Sequence, residues 1–314
     1  MLPPAIFIMG PTAAGKTDLA IAIADELPVE IISVDSALVY KGMDIGTAKP
    51  NSTTLAEYPH HLVDIIEPSE KYSVGQFCSD AKSLMAEITA RGKVPLLVGG
   101  TMLYFNALQY GISELPTSDE KIRQQMNTDL LAHGPEFLHK RLEKIDPISA
   151  KRINVNDPQR VQRALEVYYI TGKSMTELTE NSGDALSYNV TKIILSPFTR
   201  SILHSRIENR YQRMLTDGFV DEVTRLFQRE DCHAGLPSIR AVGYRQAWSY
   251  LKGDYDRDEF VYKAIVATRQ MAKRQITWLR SQKDGTWFNS DVNLPTDAVK
   301  QYLLEQVSQL RHNA

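Results

Sequence analysis

Along the first third of the chain, short apolar runs alternate with amphipathic stretches. Ala5-Ile6-Phe7-Ile8-Met9 has the length and composition of a buried strand. Leu19, Ile23 and Leu27 then recur four apart, the spacing of one helix face. Glu30-Ile31-Ile32-Ser33-Val34 predicts a second strand ending at Asp35-Ser36, and His61-Leu62-Val63-Asp64-Ile65 a shorter one. Phe77, Ala81, Leu84, Met85 and Ile88 mark a helix that Gly92 stops. Val94-Pro95-Leu96-Leu97-Val98 predicts a further strand, closed by Gly99-Gly100-Thr101. Strands alternating with helices in this way predict the α/β class, a parallel sheet flanked by helices. Ligands of such sheets gather beyond the carboxyl ends of the strands, where Asp35-Ser36 and Gly99–Thr101 lie.

From about Glu114 the periodicity becomes helical, with little strand signal as far as Asn189. Asp157-Pro158 predicts a cap and first residue for a helix over Gln159–Thr171, with Gly172 as its stop. Val190–Leu195 returns as a strand. The simplest organisation is an α/β core, residues 1–114 and 190–314, interrupted by an inserted all-helical domain, residues 115–189. Residues 200–283 read as mostly helical, followed by a short Thr286-Trp287-Phe288 strand and a terminal helix. No internal repeat or low-complexity tract is present.

The segment between the first strand and its helix carries the strongest chemistry. Gly10-Pro11-Thr12-Ala13-Ala14-Gly15-Lys16-Thr17 is a complete G-x-x-x-x-G-K-[ST] phosphate loop in the strand–loop–helix setting such a loop requires. The glycines let the backbone wrap a phosphate, the amides and helix N-terminus point at it, and Lys16 adds a full charge. Thr17 supplies a hydroxyl that can hold Mg²⁺. An ordinary strand–helix turn does not account for Lys16-Thr17 directly after Gly15.

Charge narrows the partners. The whole chain has 36 basic and 38 acidic residues, a net −2. Residues 200–283 alone hold 16 basic against 10 acidic, an excess of six that leaves −8 on the remainder. Such asymmetry fits a polyanion-facing surface or a solvated charged face. Cys78 and Cys232 form no C-x-x-C pair, which argues against a disulfide framework and fits a reducing compartment. Met1-Leu2-Pro3-Pro4 lacks a basic leader segment, and no stretch approaches the ~18 apolar residues of a membrane span. The expectation is a cytoplasmic enzyme without membrane association.

A phosphate loop suggests a small-molecule or nucleotide kinase first. Nucleotide hydrolases usually carry an apolar strand ending in an Asp that helps hold Mg²⁺. Here Val94–Val98 ends in Gly99-Gly100-Thr101, without a carboxylate. Asp35 is the first convincing carboxylate near the loop. Weight shifts away from ATP hydrolysis, and the kinase remains the alternative.

Six blocks together resemble the signatures of the tRNA dimethylallyltransferases, also called tRNA isopentenyltransferases. They are Gly10–Thr17, Ser33–Pro50, Leu97–Tyr104, Asp157–Glu166, Ser238–Gln246 and Thr268–Arg280. They occur in the family's order and span most of the chain. The match is most like the bacterial form, without the zinc-finger extension of some eukaryotic members. The resemblance implies transfer of a dimethylallyl group from dimethylallyl diphosphate to N6 of the adenosine just 3′ of the anticodon. Mg²⁺ held through Thr17 is the expected metal, and a monomer the expected state.

By that resemblance, Asp35 is the general base, Thr101 contacts the target adenosine, and Lys16 with residues 10–17 and Arg213 binds the diphosphate. From the residues alone, Asp35 has a second reading as a helix N-cap or loop-solvating carboxylate, and Thr101 one as a turn hydroxyl capping the next helix. The implied tRNA contacts begin at Asp35, Ser36, Ala37, Leu38, Thr101 and Arg123. They continue through Gln159, Arg160, Val161, Gln162 and Arg163, then Arg240, Ala241, Val242, Gly243, Tyr244 and Arg245. The last set is Lys273, Arg274, Gln275, Ile276, Thr277, Trp278, Leu279 and Arg280. Arg269, Lys273, Ile276 and Arg280 share one helical stripe, and Arg269–Lys283 holds five basic residues and no acidic one. Within that block Trp278 and Met271 also read as core-packing residues. His60-His61 and both cysteines read as structural.

Overall fold

A computed structural model describes residues 2–113, 115–180, 185–307 and 310. The strands are β1 (Pro4–Met9), β2 (Val29–Val34), β3 (His60–His61), β4 (Val94–Gly99), β5 (Asn189–Ser196) and β6 (Gly285–Asn289). The first helices are α1 (Lys16–Ala24), α2 (Ser52–Glu57), α3 (Val74–Ala90) and α4 (Met102–Tyr110). Next come α5 (Glu120–His133), α6 (Pro135–Ile145), α7 (Pro147–Arg152), α8 (Pro158–Thr171) and α9 (Met175–Thr179). The chain continues with α10 (Arg200–Thr216), α11 (Phe219–Phe227), α12 (Tyr244–Leu251), α13 (Arg257–Leu279) and α14 (Thr296–Gln306). It divides into two compact units, Met1–Asn106 with Ser187–Ala314, and Ala107–Leu186.

In the first unit all six strands join one sheet in the order β3-β2-β4-β1-β5-β6, with every pairing parallel. Parallel strands are covered on both faces, which is why β1 and β4 read as unbroken apolar runs. On one face, Ile6, Ile8, Leu96 and Leu195 pack against Leu19 and Ile23 of α1 and Val299 and Leu303 of α14. Phe7 meets Phe105 at 5.1 Å between ring centroids, and Phe77 of α3 stacks on Tyr104 at 4.3 Å. α1 ends at Ala24, so Leu27 lies beyond it, yet remains buried in the same cluster.

The third predicted strand is shorter than its apolar pattern. Only His60–His61 pairs with β2, because Leu62 (φ 64°) and Asp64 (φ 54°) take left-handed conformations that end pairing. The Asp64 carboxylate instead accepts from the Lys49 ammonium, which also donates to the Tyr40 carbonyl and to Asp44.

A second apolar cluster holds α10 to α13 together around Tyr211, Phe219, Tyr244 and Phe260. The other unit is helical, with Met126, Leu138, Leu142, Val161 and Leu165 at its centre. α8 forms where the sequence predicts it. The Asp157 carboxylate caps the Arg160 N–H, and Gly172 ends the helix at φ 72°. Fully buried Glu166 accepts from Arg123, Arg163 and the Asp119 N–H. The boundary between units falls at Ala107, inside α4, rather than at 115; Glu114 lies outside the described residues.

Strand spacing at the carboxyl end of the sheet depends on glycine. A Cβ on Gly99 would stand 2.0 Å from the Val34 carbonyl oxygen, so β2 and β4 close up only without one. Gly99→Ala is expected to cost about 1–3 kcal/mol through overpacking and to lower the thermal midpoint by several degrees. Melting followed by circular dichroism checks this; an unchanged midpoint would contradict the close-approach argument.

Candidate active site at the carboxyl ends of the strands

β1, β4 and β2 are neighbours in the sheet, so the turns that follow them are brought side by side. The phosphate loop leaves β1 under tight constraint. A Cβ at Gly10 would lie 2.2 Å from the Leu195 carbonyl oxygen. Ala13 (φ 62°) and Gly15 (φ 92°) turn the backbone through left-handed conformations into α1. Two side chains brace the loop from outside. Gln275 of α13 accepts the Thr12 N–H through Oε1 at 3.0 Å and donates through Nε2 to the Gly100 carbonyl at 2.8 Å. Ser290 Oγ donates to the Ala14 carbonyl at 3.1 Å.

The Lys16 ammonium donates to the Pro11 carbonyl at 2.8 Å. Burial pushes its pKa down to about 8; Asp35 opposes that fall, and the positive charge of Arg210 adds to it. Such a lysine gains most from an anion that replaces its lost solvation. Asp35 follows β2, with Oδ1 accepting the Ala37 N–H at 2.8 Å and the Leu38 N–H at 3.4 Å. Oδ2 has no hydrogen-bond partner among the described residues. Thr101 follows β4 and accepts the Ser36 N–H through Oγ1 at 3.0 Å, tying the β2 and β4 turns together.

A cavity of about 1200 Å³ opens beside the loop. Lys16, Thr17, Lys49, Arg206, Arg210 and Arg213 contribute its cationic and hydroxyl groups. Burial and then the neighbouring Arg213 hold the Arg210 pKa below its usual value, while Asp35 acts the other way. Arg206 donates to the Ser290 and Asp291 carbonyls, and Arg210 to the Thr47 carbonyl at 2.9 Å. Sequence reading singled out Arg213 and missed Arg206 and Arg210. Their spacing on one face of α10 was the available signal.

The remaining residues singled out from sequence divide by exposure. Arg240, Arg245, Lys273, Arg274, Thr277 and Arg280 are exposed, as are Ser36, Gln159 and Arg160. Ala37, Leu38, Ala241, Val242 and Trp278 are half-buried, and half-buried Ile276 packs against the cluster of Leu203, Ile207 and Ala272. Several are held inside the protein instead. Tyr244 is a correction to the sequence reading: its ring is fully buried and its hydroxyl donates to Glu222. Gly243, Val161 and Leu279 are buried too. Gln275 uses both amide groups on the two site turns. In the helical unit, Arg123 and Arg163 neutralise Glu166, and Gln162 donates to Asn127.

No group of three or more acidic, His or Cys side chains able to hold a metal occurs among the described residues. A hard cation here would draw on the Thr17 hydroxyl and on oxygens of a bound phosphate, the arrangement Mg²⁺ tolerates best.

A strand–loop–helix phosphate loop, an adjacent carboxylate and an arginine-lined cavity are the chemistry of an enzyme that handles a phosphorylated substrate. A family model described as IPP transferase matches residues 38–282, and one described as isopentenyl transferase matches residues 4–62. The tRNA isopentenylpyrophosphate transferase of Bacillus halodurans is 35% identical, with 99% of each chain covered and a TM-score of 0.72. The tRNA delta(2)-isopentenylpyrophosphate transferase of Staphylococcus epidermidis is 33% identical, covering 98% of this chain and 99% of that one, at 0.69. A eukaryotic dimethylallyltransferase acting on tRNA is 26% identical, covering 96% and 78% respectively, at 0.80. The chain belongs to the IPP transferase family, prenyl-transferring enzymes of tRNA.

Inorganic pyrophosphate is expected to raise the Lys16 pKa from about 8 by at least about one unit. Above pH 8 the free lysine loses its proton, so affinity falls by up to about tenfold per pH unit, and binding takes up protons. Calorimetry in buffers of different ionisation enthalpy measures that uptake. Its absence at pH 8 to 9 would remove Lys16 from the anion site.

Proposed function

We propose that the phosphate loop binds the diphosphate of dimethylallyl diphosphate and that the enzyme transfers the dimethylallyl group to N6 of the adenosine just 3′ of the anticodon. The observation carrying this reading is the convergence of three turns, the phosphate loop after β1, Asp35 after β2 and Thr101 after β4, joined by Gln275 and by the Thr101–Ser36 bond. A base beside a cationic diphosphate site suits attack by an amine on the carbon bearing the leaving group. The N6 lone pair forms the new carbon–nitrogen bond as the carbon–oxygen bond breaks, and its electrons leave with diphosphate. Asp35 Oδ2 takes the amine proton. Negative charge grows on the leaving group, so loop amides, Lys16 and the arginines hold it more strongly in the transition state than in the substrate. Mg²⁺ held through Thr17 would supply further neutralisation of that charge. Thr101, tied to the Ser36 amide, would orient the adenosine through its hydroxyl.

The attacking adenine must leave its stack in the anticodon loop to reach this site. Phosphate contacts position the RNA without reading its sequence. Arg240 and Arg245, with Lys273, Arg274 and Arg280, are the exposed cations proposed for that work in the first unit. Arg160 and Gln159 are proposed for it in the helical unit. No helix among the described residues is long and apolar enough to cross a membrane. Two buried, unpaired cysteines suit a cytoplasmic setting. We read the enzyme as a monomer there. The kinase reading is not favoured, since β4 ends in Gly99 without a metal-binding carboxylate.

Pure protein incubated with Mg²⁺, dimethylallyl diphosphate and unmodified tRNA is expected to yield isopentenyl-adenosine by nucleoside mass analysis. ATP consumption without that product would overturn the reading. Asp35→Asn should keep tRNA affinity within a few-fold and cut turnover at least about a hundredfold. Near-normal turnover would remove Asp35 from the role of base. The logarithm of tRNA affinity should fall linearly with the logarithm of salt concentration. Removing one phosphate-contacting Lys or Arg should flatten the slope by about one unit. A salt-independent affinity would contradict the cationic assignment.

A further inference from the structure

The buried carboxylate of Glu222, on α11, stands opposite a run of backbone amides that belongs to a different part of the chain. Oε2 accepts the Asp44 and Ile45 N–H groups, each at 2.8 Å, and Oε1 accepts the Gly46 N–H at 3.1 Å. Oε1 also accepts the Tyr244 hydroxyl at 2.5 Å. Three successive amides converging on one anion form the same kind of nest a phosphate loop uses. Here the protein fills the nest itself.

The nest belongs to a loop that walls the substrate cavity. Asp44, Ile45, Ala48, Lys49 and Pro50 all line the cavity beside Lys16 and Arg213, whereas Glu222 and Tyr244 do not. One residue of the loop takes a left-handed backbone conformation. Ala48 has φ 52°, an uncommon value for alanine. A Cβ at Gly46 would stand 2.2 Å from Phe219 Cε2 and 2.6 Å from Tyr244 Cε2, so the loop lies directly on those rings. Phe219 and Tyr244 meet edge to face at 5.2 Å.

We infer that Glu222 and Tyr244 are positioning residues for diphosphate binding: they clamp residues 44–50 as the cavity wall facing the phosphate loop, without touching substrate. This rests on the reading of that cavity as the prenyl diphosphate site. A released clamp frees the wall that carries Lys49 and Ile45, so loss appears in ground-state binding of the diphosphate rather than in the chemical step.

The test uses the full chain. Glu222→Gln turns an amide donor toward amide donors and should raise KM for dimethylallyl diphosphate at least about tenfold, with kcat within about threefold and tRNA Kd unchanged. Tyr244→Phe keeps the three backbone bonds and should raise KM only about two- to fivefold. Gly46→Ala, which leaves the carboxylate intact but lifts the loop from the rings, should reproduce the Glu222→Gln effect. Inorganic pyrophosphate affinity, measured by calorimetry, should weaken in parallel with KM. Folded variants with unchanged KM and pyrophosphate affinity would overturn the clamp, as would a fall in kcat at constant KM. Should Glu222→Gln fail to fold, Tyr244→Phe decides by the same measurements. If the wild-type protein binds pyrophosphate yet makes no prenylated tRNA, the reaction assignment fails, while the calorimetric comparison still judges the clamp.

Discussion

Everything at the site depends on how closely the strands approach one another at their carboxyl ends. Gly10 meets the Leu195 carbonyl and Gly99 meets the Val34 carbonyl at distances no side chain would tolerate. These contacts fix the three turns after β1, β2 and β4 in register, and two side chains then lock them. Gln275 joins the phosphate loop to the β4 turn, and Thr101 joins the β4 turn to the β2 turn. A carboxylate, a hydroxyl and an anion cradle thereby sit on rigid backbone, the condition for charge stabilisation without reorganisation during reaction.

Electrostatics follow from that rigidity. Burial holds the pKa of Lys16 and of Arg210 below their usual values, and Asp35 is the negative charge that opposes each fall. Such an arrangement is unfavourable in the empty protein and improves when a polyanion enters. On the proposed reading, a diphosphate is selected by what the site lacks as much as by what it offers. Glu222 shows the contrasting solution, an anion built into the chain that fills an amide nest and leaves no place there for a ligand.

Much of this was legible in the sequence because it depends on short-range pattern. The loop at residues 10–17, the Asp35 strand end, the α8 cap at Asp157 and the Gly172 stop each announce themselves within a few residues. The parallel sheet followed from apolar runs alternating with helical spacing. What escaped depends on partners far along the chain. Gln275 bonds to Thr12 across 263 positions, and Glu222 to Asp44 across 178. A motif reading therefore placed Gln275 and Tyr244 among RNA contacts, when their polar groups are committed inside the protein. Likewise His61–Ile65 has strand composition, but Leu62 and Asp64 take left-handed conformations that end pairing. Exposed cations such as Arg240 and Lys273 carry no such internal commitment in their residue type, so sequence found them by family block alone.

The central claim is that this phosphate loop serves carbon transfer and not phosphoryl transfer. Dimethylallyl diphosphate carrying ¹⁸O at the bridge between carbon and phosphorus tests it most directly, in a reaction with unmodified tRNA followed by mass analysis of the products. Carbon–oxygen cleavage predicts all of the label in released pyrophosphate and none in any prenyl alcohol or monophosphate. Label retained on the prenyl group would mean that the phosphorus–oxygen bond had broken, and would contradict the account.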